Sequence, residues 1–408
     1  MPGRTFSAEA DWRAGSKWRC RELVATLDLV ARSGGLKSEL LEFCRQPRYD
    51  AAFRDAFSAQ GITVTPASTD QLIHVLDYFV LQHRLRNGQT IVEQFVAARR
   101  DLPEPEREML LGWRDVVEGM FEVVRHDGNA IVVENLLDEL TYRVRSNMGS
   151  NVFRPLHAGS FIVARLVPVG EEWLLSGATH PIAKRRRDAV HKAAAELAMQ
   201  QPKLVFRNPG KLDRAWELQR ADRDRFVRFF GSDTVVIPGR QFGDRMRDYH
   251  AFSRREVLAE LSARGRVSEY AGRPLPVFDC PSALRESEAV GVVYDQDEGL
   301  SFFAGFGEFE EAFRDPGVLG RHQYRQRVLD YLDDDSVSPL PFRRLSERDP
   351  DRASEVFRRV LRRRDFNWHR DGEKLLRRHK AWFFEQPLLP RVLPISERLA
   401  PYVGRAAS

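Results

Sequence analysis

Phe161-Ile162-Val163-Ala164-Arg165-Leu166-Val167-Pro168-Val169, followed by Gly170-Glu171-Glu172 and Trp173-Leu174-Leu175-Ser176, is the stretch on which the fold turns. Two apolar runs rich in β-branched residues, joined by a short turn opening on glycine, read as paired strands. Upstream, Val123-Val124, the turn Asp127-Gly128-Asn129 and Ile131-Val132-Val133 carry the same hairpin signal. Leu140, Tyr142 and Val144 alternate with Thr141, Arg143 and Arg145, which predicts a half-buried strand with a basic outer face. A loop rich in Asn and Gly links that strand to Phe161. Five short strands in under sixty residues predict a small closed barrel of the OB or SH3 type.

Before the barrel the period is helical. From Trp18 to Phe57, Leu23, Leu27, Val30, Leu36, Leu40 and Phe43 recur at helix spacing, and Gly34-Gly35 predicts a break into two helices. Thr69-Asp70 reads as the cap of a helix whose stripe is Leu72, Ile73, Leu76, Phe79 and Val80. Thr90 with Glu93 is a capping box ahead of Ile91, Phe95 and Val96. The stretch Asp101 to Pro105 separates that helix from another aligning Leu110, Trp113, Val117 and Met120.

After Pro181, helices are expected over Ala183 to Met199, Asp213 to Phe230 and Arg254 to Ala263, with a short strand at Val235-Val236-Ile237. Val290 to Tyr294 and Leu300 to Ala304 predict a hairpin leading into a helix from Gly307 to Phe313. Further helices are expected over Tyr324 to Leu332, Asp351 to Arg363 and Asp371 to Phe384, before a Pro-rich extended tail. The fold class is therefore α+β: an N-terminal helical domain, a small five-stranded OB/SH3-like β-barrel and a mixed α/β C-terminal region. The expected division is a helical domain over 1–118, the barrel over 119–180, a basic helical segment over 181–270, a mixed region over 271–384 and the tail over 385–408. A chain of 408 residues exceeds what one core serves, which agrees with two or three domains.

Composition narrows the function. The longest apolar runs are far too short for a bilayer, and Glu9, Asp11 and Arg13 interrupt any secretion signal, so a cytoplasmic protein is expected. Cys20, Cys44 and Cys280 are isolated, which excludes a disulfide framework or a cysteine-rich zinc site. Net charge is only +5, but basic residues are 56 Arg against eight Lys. A GC-rich genome enriches Arg everywhere, so distribution is more informative than total. Residues 279–342 carry fourteen acidic and five basic side chains, and residues 343–380 carry fourteen basic and seven acidic. The simplest expectation is that the two segments neutralise each other inside the fold.

No Walker loop, strand-linked G-x-G-x-x-G, G-x-S-x-G elbow or H-E-x-x-H helix is present, and Gly305-Phe306-Gly307 fits an ordinary turn. No cofactor is expected. Asp295, Asp297 and Glu298 at a hairpin tip, and Asp333-Asp334-Asp335, read first as solvated loops. Asp244, Asp248 and His250 form a weak metal candidate, since Asp244 and Asp248 share a helix face. His369 and His379 flank a basic helix and read as surface charge. The basic candidates are Arg143, Arg145 and Arg165 on the barrel, Lys184, Arg185, Arg186 and Arg187 just after it, and Arg358, Arg359, Arg362 and Arg363 at helical spacing. Such groups suit phosphate, and Tyr142, Phe153 and Trp173 are candidate stacking platforms, Trp173 more naturally a core residue.

Asp77-Tyr78-Phe79, Gly88-Gln89-Thr90, the 161–169 and 172–177 runs and Ser338-Pro339-Leu340-Pro341-Phe342-Arg343-Arg344-Leu345 resemble uncharacterised bacterial proteins associated with the SEC-C motif. The likeness covers residues 70–177 and 338–345, and the motif's Cys cluster is absent. The resemblance implies a helical region beside a small β segment and no catalytic residue. These readings predict a non-catalytic binding protein whose partner is nucleic acid or another anionic macromolecule. The alternatives are a metal-dependent hydrolase or nuclease using carboxylates, and a protein-interaction module meeting an acidic protein.

Overall fold

The structure is a computed structural model describing residues 8–60, 68–265 and 278–403, with side chains from Thr26 onward. Trp18, Cys20 and Leu23 therefore lie outside the described side chains. Two compact units divide the chain: Met1–Pro209 with Ile395–Ser408, and Gly210–Pro394. The five-part division expected from sequence is corrected accordingly. The helical segment and the barrel are not separate domains, because Leu36, Leu40, Phe79 and Trp113 share one core with Val167, Val169 and Leu174 of the barrel.

The first unit opens with helices α1 (Ala8–Cys44), α2 (Asp50–Ala59), α3 (Thr69–Leu81), α4 (Ile91–Ala98) and α5 (Glu104–Gly112). Helix α1 runs straight through Gly34-Gly35, overturning the expected break. Each glycine costs a helix about 1 kcal/mol, but Leu36 and Leu40 just beyond are fully buried. A Cβ on Gly34 would lie 3.4 Å from Asn147 Nδ2, an ordinary contact with a barrel loop. Ser68, not Thr69, caps α3, accepting from Gln71 N–H in a capping box. The box at Thr90 and Glu93 forms as expected.

Strands β1 (Val117–Asp127), β2 (Ala130–Asn135), β3 (Thr141–Arg145), β4 (Phe161–Val169) and β5 (Glu172–Ile182) follow. Val117 and Met120 belong to β1 rather than to the preceding helix, since α5 stops at Gly112. The strands close into a barrel in the order β1-β2-β3-β5-β4, antiparallel except for β3 against β5. Its interior holds Phe121, Val133, Tyr142, Val144, Ile162 and Leu166, with Phe153 from a short helical turn between β3 and β4. Tyr142 and Phe153 are thus core residues and not stacking platforms. Trp173 meets the Tyr142 ring edge-on at 5.2 Å. Helices α6 (Arg187–Gln200) and α7 (Pro202–Val205) complete this part, and the tail returns to bury Leu399 and Ala400.

The second unit contains α8 (Pro209–Phe230), β6 (Thr234–Pro238), α9 (Gly239–Ala263), α10 (Ser282–Arg285), β7 (Ala289–Asp295), β8 (Gly299–Ala304), α11 (Phe306–Arg314), α12 (His322–Asp333), α13 (Leu340–Arg348), α14 (Pro350–Val360), α15 (Trp368–His379) and α16 (Ala381–Glu385). Strand β7 is central in an antiparallel sheet of three. Val290, Val292 and Tyr294 face a core with Phe226, Phe242 and Met246, while Val293 faces a second core with Phe306, Phe309 and Phe357. Both faces of β7 are covered, which is why it reads as an unbroken apolar run.

Candidate functional site

The barrel arginines named from sequence are consumed inside the first unit. Arg143 Nε donates to Asp127 at 2.8 Å and its other arm reaches Glu172, which also holds the buried Arg145. Arg165 is 3% exposed and donates to Asp77 at 2.7 Å, Glu118 at 2.6 Å and Gln82 at 2.6 Å. Asp77 also accepts from Lys37 at 2.6 Å and from Ser176 at 2.6 Å. Burial pushes the Asp77 carboxyl up, but Lys37 and Arg165 outweigh it and hold it at about 2. These guanidinium groups bond carboxylates of their own unit, and Arg145 and Arg165 are buried, so the barrel's exposed cationic surface lies elsewhere.

Basic side chains of another kind gather at one end of the barrel. Val123 N–H donates to Ser160 O and Gly159 N–H to Val123 O, both at 2.8 Å, and His126 Nε2 lies 2.5 Å from Leu156 O. Phe161 pairs with Ile182 across β4 and β5. A Cβ on Gly159 would touch the Lys184 side chain at 3.2 Å. The end of β1, the loop 154–160 and the turn after β5 are therefore one surface. It exposes Arg125, Arg154, Lys184, Arg185 and Arg186, none of which has a salt-bridge partner among the described residues. Arg125 does lie near Asp127, whose carboxyl is held low chiefly by Arg143. Arg187 differs from its neighbours, pairing with Glu122 at 2.8 Å.

The second unit's arginine row is not a free cationic face. Arg358 Nε donates to Phe366 O at 2.8 Å, and Arg359 to Pro316 O at 2.7 Å and to Glu355. Helix α14 ends at Val360, so Arg362, at φ 54°, and Arg363, beside Asp365 at 3.4 Å, do not extend the row. The opposite-signed segments meet in part, Arg344 bonding Asp295 at 2.7 Å and Arg348 bonding Glu310 at 2.9 Å, while pairs such as Arg359 with Glu355, Arg370 with Asp371 and Arg327 with Glu308 lie within one segment.

The metal candidate does not assemble either. Asp244 is exposed and paired with Arg247, Asp248 is exposed, and His250 lies on another face of α9 beside the Phe278 ring at 5.7 Å. His250 lines a cleft with Asp222, Tyr249, Tyr294 and Glu298, and neither Asp244 nor Asp248 reaches it. Among the described residues no three His, Cys, Asp or Glu side chains come together as a metal site. Asp295 turns inward to cap its own hairpin, accepting from Asp297 and Glu298 N–H groups at 2.9 and 3.0 Å.

Sequence reading missed Arg125 and Arg154, which belong to no basic cluster along the chain, and Asp77, a carboxylate between the apolar Leu76 and Phe79 of α3. The last carried a usable signal, because a charge on a buried helix face requires an opposite partner. No helix among the described residues is long and apolar enough to cross a membrane. The chain matches no protein-family model, no curated protein and no solved structure.

Proposed function

We propose that the chain is a non-catalytic binding protein whose barrel belongs to the OB type and engages nucleic acid through phosphate contacts at one end. The strand order, with its single parallel pair and the helical turn that places Phe153 under the barrel, supports the OB assignment over an SH3-like one. In OB barrels the strand 2–3 face and the loops after strands 1 and 4 form the usual groove. Here Arg143 ties Asp127 to Glu172 across it. The binding surface is instead the cationic end, and one observation carries it: Arg125, Arg154, Lys184, Arg185 and Arg186 are exposed together, and among the described residues no carboxylate forms a salt bridge to any of them. A surface of this kind binds backbone charge without reading sequence. The resemblance to SEC-C-associated proteins contributes no residue to this reading.

Fluorescence anisotropy with mixed-sequence DNA and RNA over a salt series tests it. Affinity should fall steeply with salt, by about 0.9 in log Kd per log salt for each phosphate neutralised. The variant carrying Lys184→Glu, Arg185→Glu and Arg186→Glu should bind at least tenfold more weakly, while Arg54→Glu on α2 should bind as the parent does. Absent or salt-insensitive binding, or an equal loss in both variants, overturns the proposal.

A further inference from the structure

A recess of about 540 Å³ lies in the helical part of the first unit, between α2 and the loop joining α3 to α4. One wall is Arg48, Ala51, Ala52 and Asp55, from the helical turn Pro47–Tyr49 and the α2 face it leads into. The other wall is the loop 83–87, which carries His83, Arg84, Leu85 and Arg86. Tyr49 and Gln94 also line it, the Tyr49 hydroxyl donating to Gln94 Oε1 at 2.7 Å, and Asn87 is engaged with Gln89 through both ends of its amide.

Charge in the recess is unbalanced. Arg48, Arg84 and Arg86 are exposed, and among the described residues no carboxylate forms a salt bridge to any of them. Asp55 supplies the one carboxylate among the described lining residues. Burial pushes the His83 ring below its ordinary pKa, against the pull of Asp55, so it adds no charge at neutral pH. Three guanidinium groups against one carboxylate leave an excess of two positive charges. Their placement is built in. Arg48 is set by the Tyr49 ring, 4.7 Å from its centroid, and by the Tyr49 hydroxyl, which together leave most of its five N–H donors for a ligand. Arg84 Nη1 donates to Gly88 O at 2.7 Å, and Leu85 N–H and Gly88 N–H donate to Gln89 O and Leu85 O at 2.8 Å. The loop therefore holds its shape before a ligand arrives, which lowers the ordering cost of binding.

We propose that this recess binds a small phosphate monoester, its head held between Arg48 and the Arg84 and Arg86 side chains, and a hydroxyl of its body donating to Asp55. A monoester carries about 1.5–2 negative charges at neutral pH, which matches the excess, whereas each phosphate of a nucleic-acid backbone carries one. Guanidinium forks bond phosphate oxygens in pairs. Ala51, Ala52 and Leu85 give the body an apolar strip between the charged ends. The inference is independent of the barrel-end surface, which uses none of these residues.

Isothermal titration calorimetry with ribose 5-phosphate, adenosine 5′-monophosphate, inorganic phosphate and ribose tests it, the better of the two monoesters identifying the body. That monoester should bind at least tenfold tighter than ribose. Arg48→Ala and Arg86→Ala, at exposed positions with no salt bridge to lose, should each weaken it at least fivefold. Arg54→Ala, on the same helix but outside the recess, should change it less than twofold. Asp55→Asn should weaken the monoester at least threefold and leave inorganic phosphate binding no weaker. The barrel-end variant carrying Lys184→Glu, Arg185→Glu and Arg186→Glu should bind the monoester as the parent does. Monoester binding no tighter than ribose, equal losses in Arg54→Ala and Arg86→Ala, or displacement of the monoester by unphosphorylated mixed-sequence DNA overturns the proposal.

Discussion

At the residue scale, Asp77 decides most. A carboxylate at 3% exposure is tolerable only because two cations and a hydroxyl surround it. Replacing it by Asn takes the counter-charge from Lys37 and leaves the buried Arg165 with Glu118 alone, and the expected loss in urea-unfolding stability is about 3–5 kcal/mol. The same group sets a pH dependence. Its pKa is about 2 in the folded chain against an ordinary 3.8, so its contribution is present above pH 4 and is lost as pH falls toward 2. Unfolding midpoints taken at intervals from pH 5 to 2 should therefore drop more steeply in the parent protein than in Asp77→Asn. Equal slopes would show that the carboxylate does not carry that dependence.

At the scale of elements, glycine and caps set where helices begin and how closely they approach their neighbours. Gly239 starts α9 against the end of α10, where an added Cβ would lie 2.1 Å from Ser287 O, 2.6 Å from Leu284 O and 2.8 Å from Arg285 O. Backbone cannot rotate aside as a side chain does, so Gly239→Ala should destabilise by about 1–3 kcal/mol, read from the thermal midpoint of the second unit. Thr90→Ala removes the hydroxyl that accepts from Glu93 N–H, while the backbone N–H of residue 90 still donates to the Glu93 carboxylate, and should cost about 1 kcal/mol by the same measurement on the first unit. The box was legible because it is local, with donor and acceptor three residues apart. The continuity of α1 through Gly34-Gly35 was not, since Leu36 and Leu40 just beyond are held in a core shared with Val167, Val169 and Leu174, more than a hundred residues away in sequence.

At the scale of the whole molecule, arginine abundance has been turned inward. Most of the guanidinium groups singled out by clustering along the chain are paired or bonded to carbonyls within their own unit, and the few left exposed at the barrel end are brought together by hydrogen bonds among three separated segments. The first unit also depends on distant chain. Arg398 bonds Glu134 and Glu122, Tyr402 Oη donates to Asp188 at 2.8 Å, and Leu399 is 2% exposed. Truncation after Pro394 should therefore destabilise the first unit, by about 1.5–3 kcal/mol from Leu399 burial alone, and leave the second unit's unfolding transition in place. A truncated chain with an unaltered first transition would mean the tail is decoration.

Sequence by itself determined the elements whose cause is local: the barrel strands through β-branched apolar runs and, in β3, period-two alternation, the hairpin turns through Gly128 and Gly170, and the helices through their apolar stripes. It also determined which familiar chemistries are missing, because those need motifs of fixed spacing. Only the tertiary structure decided that helices and barrel share one core, that α13 forms over Leu340–Arg348, and which cations remain exposed. The physical reason is that a side chain's charge is written in the sequence, whereas its partner is chosen by folding. Arg165 and Arg185 are the same residue type, yet one is locked against Asp77 and the other meets water.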